Sequence, residues 1–182
     1  MIGVLVSGTG TNLQALLDAG LPISAVAANK RGIQALARAE RAGVPSNVFE
    51  LEQHADRTER DLAMADWLDE RGVELVVCAG YMQLLTPAFL ARFPCLNVHP
   101  SLLPEHPGLD AVGQALAAGA EETGVTVHVI DEGLDTGPVL LQERVAIDRG
   151  DTAETLYARI REVEHRLLPE AVKLYLAGAI RS

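Results

Sequence analysis

Short apolar runs rich in valine and isoleucine alternate along this chain with longer segments of helical period. That alternation confines the fold to a mostly parallel sheet with helices laid over it. Strands are expected near residues 2–6, 23–28, 45–49, 73–79, 95–99, 124–130 and 138–146, and helices near 12–19, 32–42, 57–71, 86–92, 110–118 and 152–176. The expected class is α/β, a Rossmann-like twisted sheet with helices on both faces. Gly43 and Gly72 read as helix stops that feed the next strand. The last two strands are joined by Asp131-Glu132-Gly133-Leu134-Asp135-Thr136-Gly137-Pro138, too short for a crossover, so that pair is expected to be antiparallel. Asp151 three residues before Glu154 predicts a capping box for the last helix, and Pro169 predicts a kink or a division within it.

A chain of 182 residues, 48% of them hydrophobic, can bury a full core as one globular domain over 1–182. Fifteen basic against 25 acidic residues leave a net charge of −10, the wrong sign for gripping a nucleic-acid backbone. The N-terminal apolar run lacks a basic flank and is broken by Ser7-Gly8-Thr9-Gly10, so neither a signal peptide nor a membrane span is expected, and the anticipated location is cytoplasmic. Cys78 and Cys95 sit in strand-like apolar segments without ligand spacing and read as reduced core residues; no metal is expected.

Two stretches carry chemistry. In Leu96-Asn97-Val98-His99-Pro100-Ser101-Leu102-Leu103-Pro104 a carboxamide and an imidazole stand two apart at the end of a strand, hence on one face. Two donors converging there suit an oxygen that becomes negative during reaction. A carboxylate is needed to orient such a histidine, and the Asp131 to Pro138 turn offers several. The second stretch is Ser7-Gly8-Thr9-Gly10-Thr11-Asn12-Leu13-Gln14, a strand passing through a glycine-rich turn into a helix, whose leading N–H groups suit a phosphate. Leu13 stands where a dinucleotide fingerprint needs glycine, and no Gly-Lys-Ser/Thr follows, so a phosphate monoester fits better than a dinucleotide. A plain turn capped by Thr11 or Asn12 accounts for the same residues.

Together with Ala79-Gly80-Tyr81-Met82, Pro107-Gly108 and Leu134-Asp135-Thr136-Gly137-Pro138, these stretches resemble the phosphoribosylglycinamide formyltransferases, a branch of the 10-formyltetrahydrofolate-dependent formyltransferase family. The resemblance runs over nearly the whole chain. It implies transfer of a formyl group from 10-formyltetrahydrofolate, as cosubstrate, to the amine of glycinamide ribonucleotide in purine biosynthesis. It also implies a phosphate-binding half over about 1–95, a folate and catalytic half over about 96–182, and a monomer or homodimer acting on small molecules. Asn97, His99 and Asp135 are the implied catalytic trio. Gly10, Thr11, Asn12, Arg161 and Glu164 are the implied contacts of the ribonucleotide; an i,i+3 ion pair is the plainer account of the last two. The implied folate contacts are Arg57, Met82, Gln83, Leu84, Leu85 and Asn97 with the turn residues Asp131, Glu132, Gly133, Leu134 and Asp135. Of these, Met82, Leu84 and Leu85 suit a core equally well.

Departures from the family pattern fall at Gln83, Asp110, Val112 and Gly113, where relatives carry arginine or histidine, and they predict weaker gain from folate polyglutamate. His54, His106, His128 and His165 read as structural or solvated. The alternatives are a hydrolase of 10-formyltetrahydrofolate, for which the regulatory domain of related hydrolases has no room in 182 residues, and a non-catalytic folate or phosphate-binding module. A transferase acting on initiator tRNA is disfavoured by the charge.

Overall fold

The computed structural model describes residues 1–180. The chain divides into two compact units, Met1–Leu96 and Asn97 onward. The first carries β1 (Ile2–Val6), α1 (Thr11–Asp18), β2 (Ile23–Ala28), α2 (Gln34–Arg41), β3 (Ser46–Val48), a 3-10 turn (Leu51–Gln53), α3 (Arg57–Asp69), β4 (Leu75–Cys78) and α4 (Pro87–Leu90). Strand β5 (Cys95–His99) bridges into the second, which holds α5 (Ala111–Ala117), β6 (Glu122–Val129), β7 (Val139–Ala146) and α6 (Ala153–Leu176).

The strand order is β3-β2-β1-β4-β5-β6-β7. β1 pairs in parallel with β2 and β4, and β2 with β3, as continuous apolar strands require when both faces are covered. All five residues of β1 are buried. Strand order reverses at β1, between β2 and β4, so the loops leaving β1 and β4 stand where open α/β sheets take ligands. β6 and β7 are antiparallel, as their short connection demanded. Cys78 and Cys95 are free and buried, and burial pushes the Cys78 thiol up to about 12, which suits inert core residues.

Three local expectations change. The cap of α6 is Thr152, reciprocally bonded with Thr155, while Asp151 is drawn away to Arg159, its Oδ2 2.5 Å from Nη2. The helix runs undivided through Pro169, whose ring is buried along with Leu156, Ile160, Leu167, Leu168 and Val172. Each large apolar side chain of that stripe contributes about 1.5–3 kcal/mol, enough to offset the lost backbone bond. The turn before α1 is capped by Gly10 without help from a side chain, so neither Thr11 nor Asn12 is the cap. Gly10 has φ 73, and a Cβ there would lie 2.6 Å from that of Ala35. Only glycine fits.

Candidate active site

The second unit assembles the motif residues around one carboxylate. Asp135, in the turn between β6 and β7 with φ 53, points Oδ2 to within 3.5 Å of His99 Nδ1 and Oδ1 to within 3.6 Å of His128 Nε2. The Gly108 backbone N–H donates to Oδ2 at 2.8 Å. His128 beside it, with that N–H and the charge of His99, holds the Asp135 carboxyl below its ordinary value against a partial desolvation. The carboxylate is therefore ionised throughout the neutral range.

Backbone carbonyls set the orientation of both rings. His99 Nε2 donates to the His106 carbonyl at 2.9 Å, which leaves Nδ1 as the face turned to Asp135. His128 Nδ1 donates to the Val129 carbonyl at 3.0 Å, and its Nε2 stands 3.3 Å from the Asn97 amide nitrogen and 3.6 Å from Asp135 Oδ1. One N–H of that amide remains to be offered elsewhere. Asn97 and His99 thus meet the same carboxylate cluster from one face of β5, as their spacing required.

His128 is the residue that sequence reasoning set aside as structural. It is 1% exposed and sits at the centre of the cluster. The available signal was the alternation Val125-Thr126-Val127-His128-Val129, which turns two polar side chains to one face of an otherwise apolar strand. Thr126 uses that face to brace the motif: its hydroxyl donates to the Ser101 carbonyl at 2.7 Å and accepts from the Leu103 N–H at 3.1 Å and the Gln142 amide at 2.8 Å.

The turn that presents Asp135 is built by Asp131, whose Oδ1 accepts from the Gly133 N–H at 2.9 Å and the Thr136 hydroxyl at 2.7 Å. Those bonds hold the Asp131 carboxyl below its ordinary range, so this side chain serves turn geometry. Glu132, Gly133 and Leu134 are exposed around it. Two of the departures also find a common reason. Asp110 caps α5 by accepting from the Gly113 N–H at 3.2 Å, and a Cβ at position 113 would meet Asp110 Oδ2 at 2.3 Å. The aspartate and the glycine are a matched pair.

The first unit holds most of the other expected contacts, and α6 of the second holds Arg161 and Glu164. Gly10, Thr11 and Asn12 form the start of α1, where a helix presents N–H groups with no helical acceptor. The loop over residues 79–86 leaves β4, and its Met82 and Leu84 side chains are 61% and 59% exposed, so they are not core residues. Gln83 accepts from Arg60 at 3.3 Å, and Leu85 is half-buried. Arg57, in the first turn of α3, donates to the Leu84 carbonyl at 3.3 Å beside a cleft of about 550 Å³ lined also by His54, Thr58 and Thr86. Beneath the loop lies a fully buried ion pair, with Arg60 Nη2 2.6 Å from Asp61 Oδ1, whose other oxygen accepts from the Thr86 N–H at 2.8 Å. On α6, Arg161 stacks over the Tyr157 ring at 4.8 Å, and its Nε is buried without an acceptor. Glu164, one turn on, is 3% exposed.

Residues 1–172 match the formyl transferase family. The phosphoribosylglycinamide formyltransferase of Haemophilus influenzae is 42% identical over 188 residues, which cover 99% of this chain and 89% of that protein. The trifunctional purine biosynthetic protein adenosine-3 of Gallus gallus is 43% identical over 188 residues, but the chain spans only 19% of its length. Among solved structures, glycinamide ribonucleotide transformylase 1 from Symbiobacterium toebii superposes with a TM-score of 0.95 at 44% identity, over 97% of this chain and 87% of that one.

Proposed function

The chain belongs to the formyl transferase family, and from that premise we propose that it transfers the formyl group of 10-formyltetrahydrofolate to the amine of glycinamide ribonucleotide, a step of purine biosynthesis in the cytoplasm. The observation that carries this reading is the Asp135 carboxylate held between His99 and His128, with Asn97 braced on the latter.

As the substrate amine attacks the formyl carbon, the carbonyl oxygen gains negative charge. The Asn97 amide N–H and the His99 ring are the groups assigned to stabilise that oxygen, and removing one such donor typically costs about 2.7–4 kcal/mol of barrier. Asp135 orients the His99 ring and accepts, through a water, the proton that the attacking nitrogen releases. The same proton then passes to the folate nitrogen as its bond to the formyl carbon breaks. Formylated ribonucleotide and tetrahydrofolate are the products.

Gly10, Thr11 and Asn12 are assigned to the phosphate. Arg161, with an Nε lacking an acceptor, and Glu164 are assigned to the rest of the ribonucleotide. The folate supplies the formyl group; the exposed apolar side chains of Met82 and Leu84 fit a flat aromatic ligand, and Arg57 fits its carboxylate. Gln83, Leu85, Asn97 and the backbone of residues 131–135 complete that assignment.

The test mixes protein with 10-formyltetrahydrofolate, with and without glycinamide ribonucleotide, and follows tetrahydrofolate together with the mass of the acceptor. Tetrahydrofolate released only with the ribonucleotide, matched by a formylated product, is the expected result. Release without it identifies a hydrolase, and no release under either condition overturns the reading.

A further inference from the structure

We propose that Ser7 is a positioning residue that couples occupancy of the glycine turn to the shape of the loop over residues 79–86. This inference rests on the reading just given, in which the turn takes a phosphate and the loop a folate.

The two segments leave neighbouring parallel strands at the same end. Leu5 stands opposite Cys78 in the β1–β4 register, and the Ala79 N–H donates to the Leu5 carbonyl at 2.9 Å. Beyond that point the strands part, and the Ser7 hydroxyl spans the gap by accepting the Met82 N–H at 2.8 Å. Ser7 is 3% exposed, so this bond is sheltered from water.

Each segment is fastened elsewhere on its far side. In the turn, the Gly8 carbonyl accepts from the Ala35 N–H at 3.1 Å and the Thr9 carbonyl from Arg38 Nε at 2.8 Å. The loop is held by Arg60 on Gln83 and by Asp61 on the Thr86 N–H. A ligand that shifts or stiffens the turn therefore acts on the loop through Ser7 Oγ, at the N–H of Met82, whose side chain stands in the open. Coupling of this kind is reciprocal, so a ligand on the loop tightens the turn by the same factor.

The experiment is calorimetry with a pair that cannot react, glycinamide ribonucleotide and tetrahydrofolate. The dissociation constant of tetrahydrofolate is measured with and without saturating ribonucleotide for the native protein, Ser7→Ala and Ser7→Thr. The native protein is expected to bind tetrahydrofolate at least about fivefold tighter when the ribonucleotide is present, the lower end of ordinary allosteric coupling. In Ser7→Ala that factor should fall close to one, and Ser7→Thr, which keeps the hydroxyl, should restore it. A purely structural serine would weaken both ligands separately and leave the factor alone, so an unchanged factor in Ser7→Ala overturns the proposal. A factor near one in the native protein overturns it too. Failure of the native protein to bind either ligand instead overturns the parent reading.

Discussion

Replacing His128 by leucine keeps much of the side-chain volume while removing the ring's bond to the Val129 carbonyl and its two contacts with the proposed catalytic residues. The first is the Asn97 amide at 3.3 Å, a neutral hydrogen bond worth about 1 kcal/mol. The second is the Asp135 carboxylate at 3.6 Å, beyond good hydrogen-bond range; the single Nε2 serves Asn97 or Asp135 but not both at once, so the two contacts do not add. Neither contact touches a substrate, so the loss should appear in turnover: one such contact, about 1–2 kcal/mol, corresponds to a fall in kcat of about 5- to 30-fold. Steady-state kinetics of formyl transfer with both substrates varied give kcat and each KM, and thermal unfolding monitors the fold. If His128 acts by holding Asn97, adding His128→Leu to Asn97→Ala should cost less than His128→Leu costs alone. A kcat within about threefold of the native value, or full additivity in the double variant, refutes the argument.

His99→Ala and Asp135→Asn should each lower turnover by orders of magnitude while unfolding stays cooperative; near-native turnover in either removes that residue from the mechanism. Because the Asp135 carboxyl is held below its ordinary value, the stability it adds is fully present above about pH 4 and drains away as acid protonates it, so chemical denaturation across pH 2–5 should show the native protein losing more stability than Asp135→Asn. Asp61→Leu strands Arg60 without its partner and should cost about 3–5 kcal/mol in urea unfolding. The pair Arg60→Met with Asp61→Leu leaves the Thr86 N–H without its acceptor and returns the exposed Gln83 amide to water, and should cost about 1–3 kcal/mol; equal losses would contradict that account. Arg57→Ala should raise the KM for the folate about fivefold, the value of an exposed ion pair, and leave that for the ribonucleotide unchanged.

What the sequence made legible follows period and spacing. The parallel sheet showed because β1, β2 and β4 are mostly continuous apolar runs, and the antiparallel β6–β7 pair showed because eight residues cannot hold a crossover. Asn97 and His99 declared themselves by standing two apart at a strand end. Asp135 was one of several acids in its turn until the family resemblance singled it out, since turn chemistry alone favours Asp131 as readily. His128 stayed hidden because its neighbours are valines: a lone polar residue in a buried strand looks the same whether it satisfies the core or serves a site, and only the position of Asp135 decides between them.

The Arg60–Asp61 pair was hidden for a related reason. Adjacent opposite charges on a helix carry no mark of burial, yet both side chains are at most 1% exposed, and the loop over residues 79–86 bonds to them through Gln83 and Thr86. The same holds for Asp110 and Gly113, which look like losses of basic family residues when compared one at a time and make sense only as a cap that needs both. In each case the deciding partner lies across a turn or a strand gap. Residues that contact the reacting atoms are constrained by type and spacing, whereas those that hold them in place answer only to geometry, and the His128, Ser7 and Asp61 variants probe that second group.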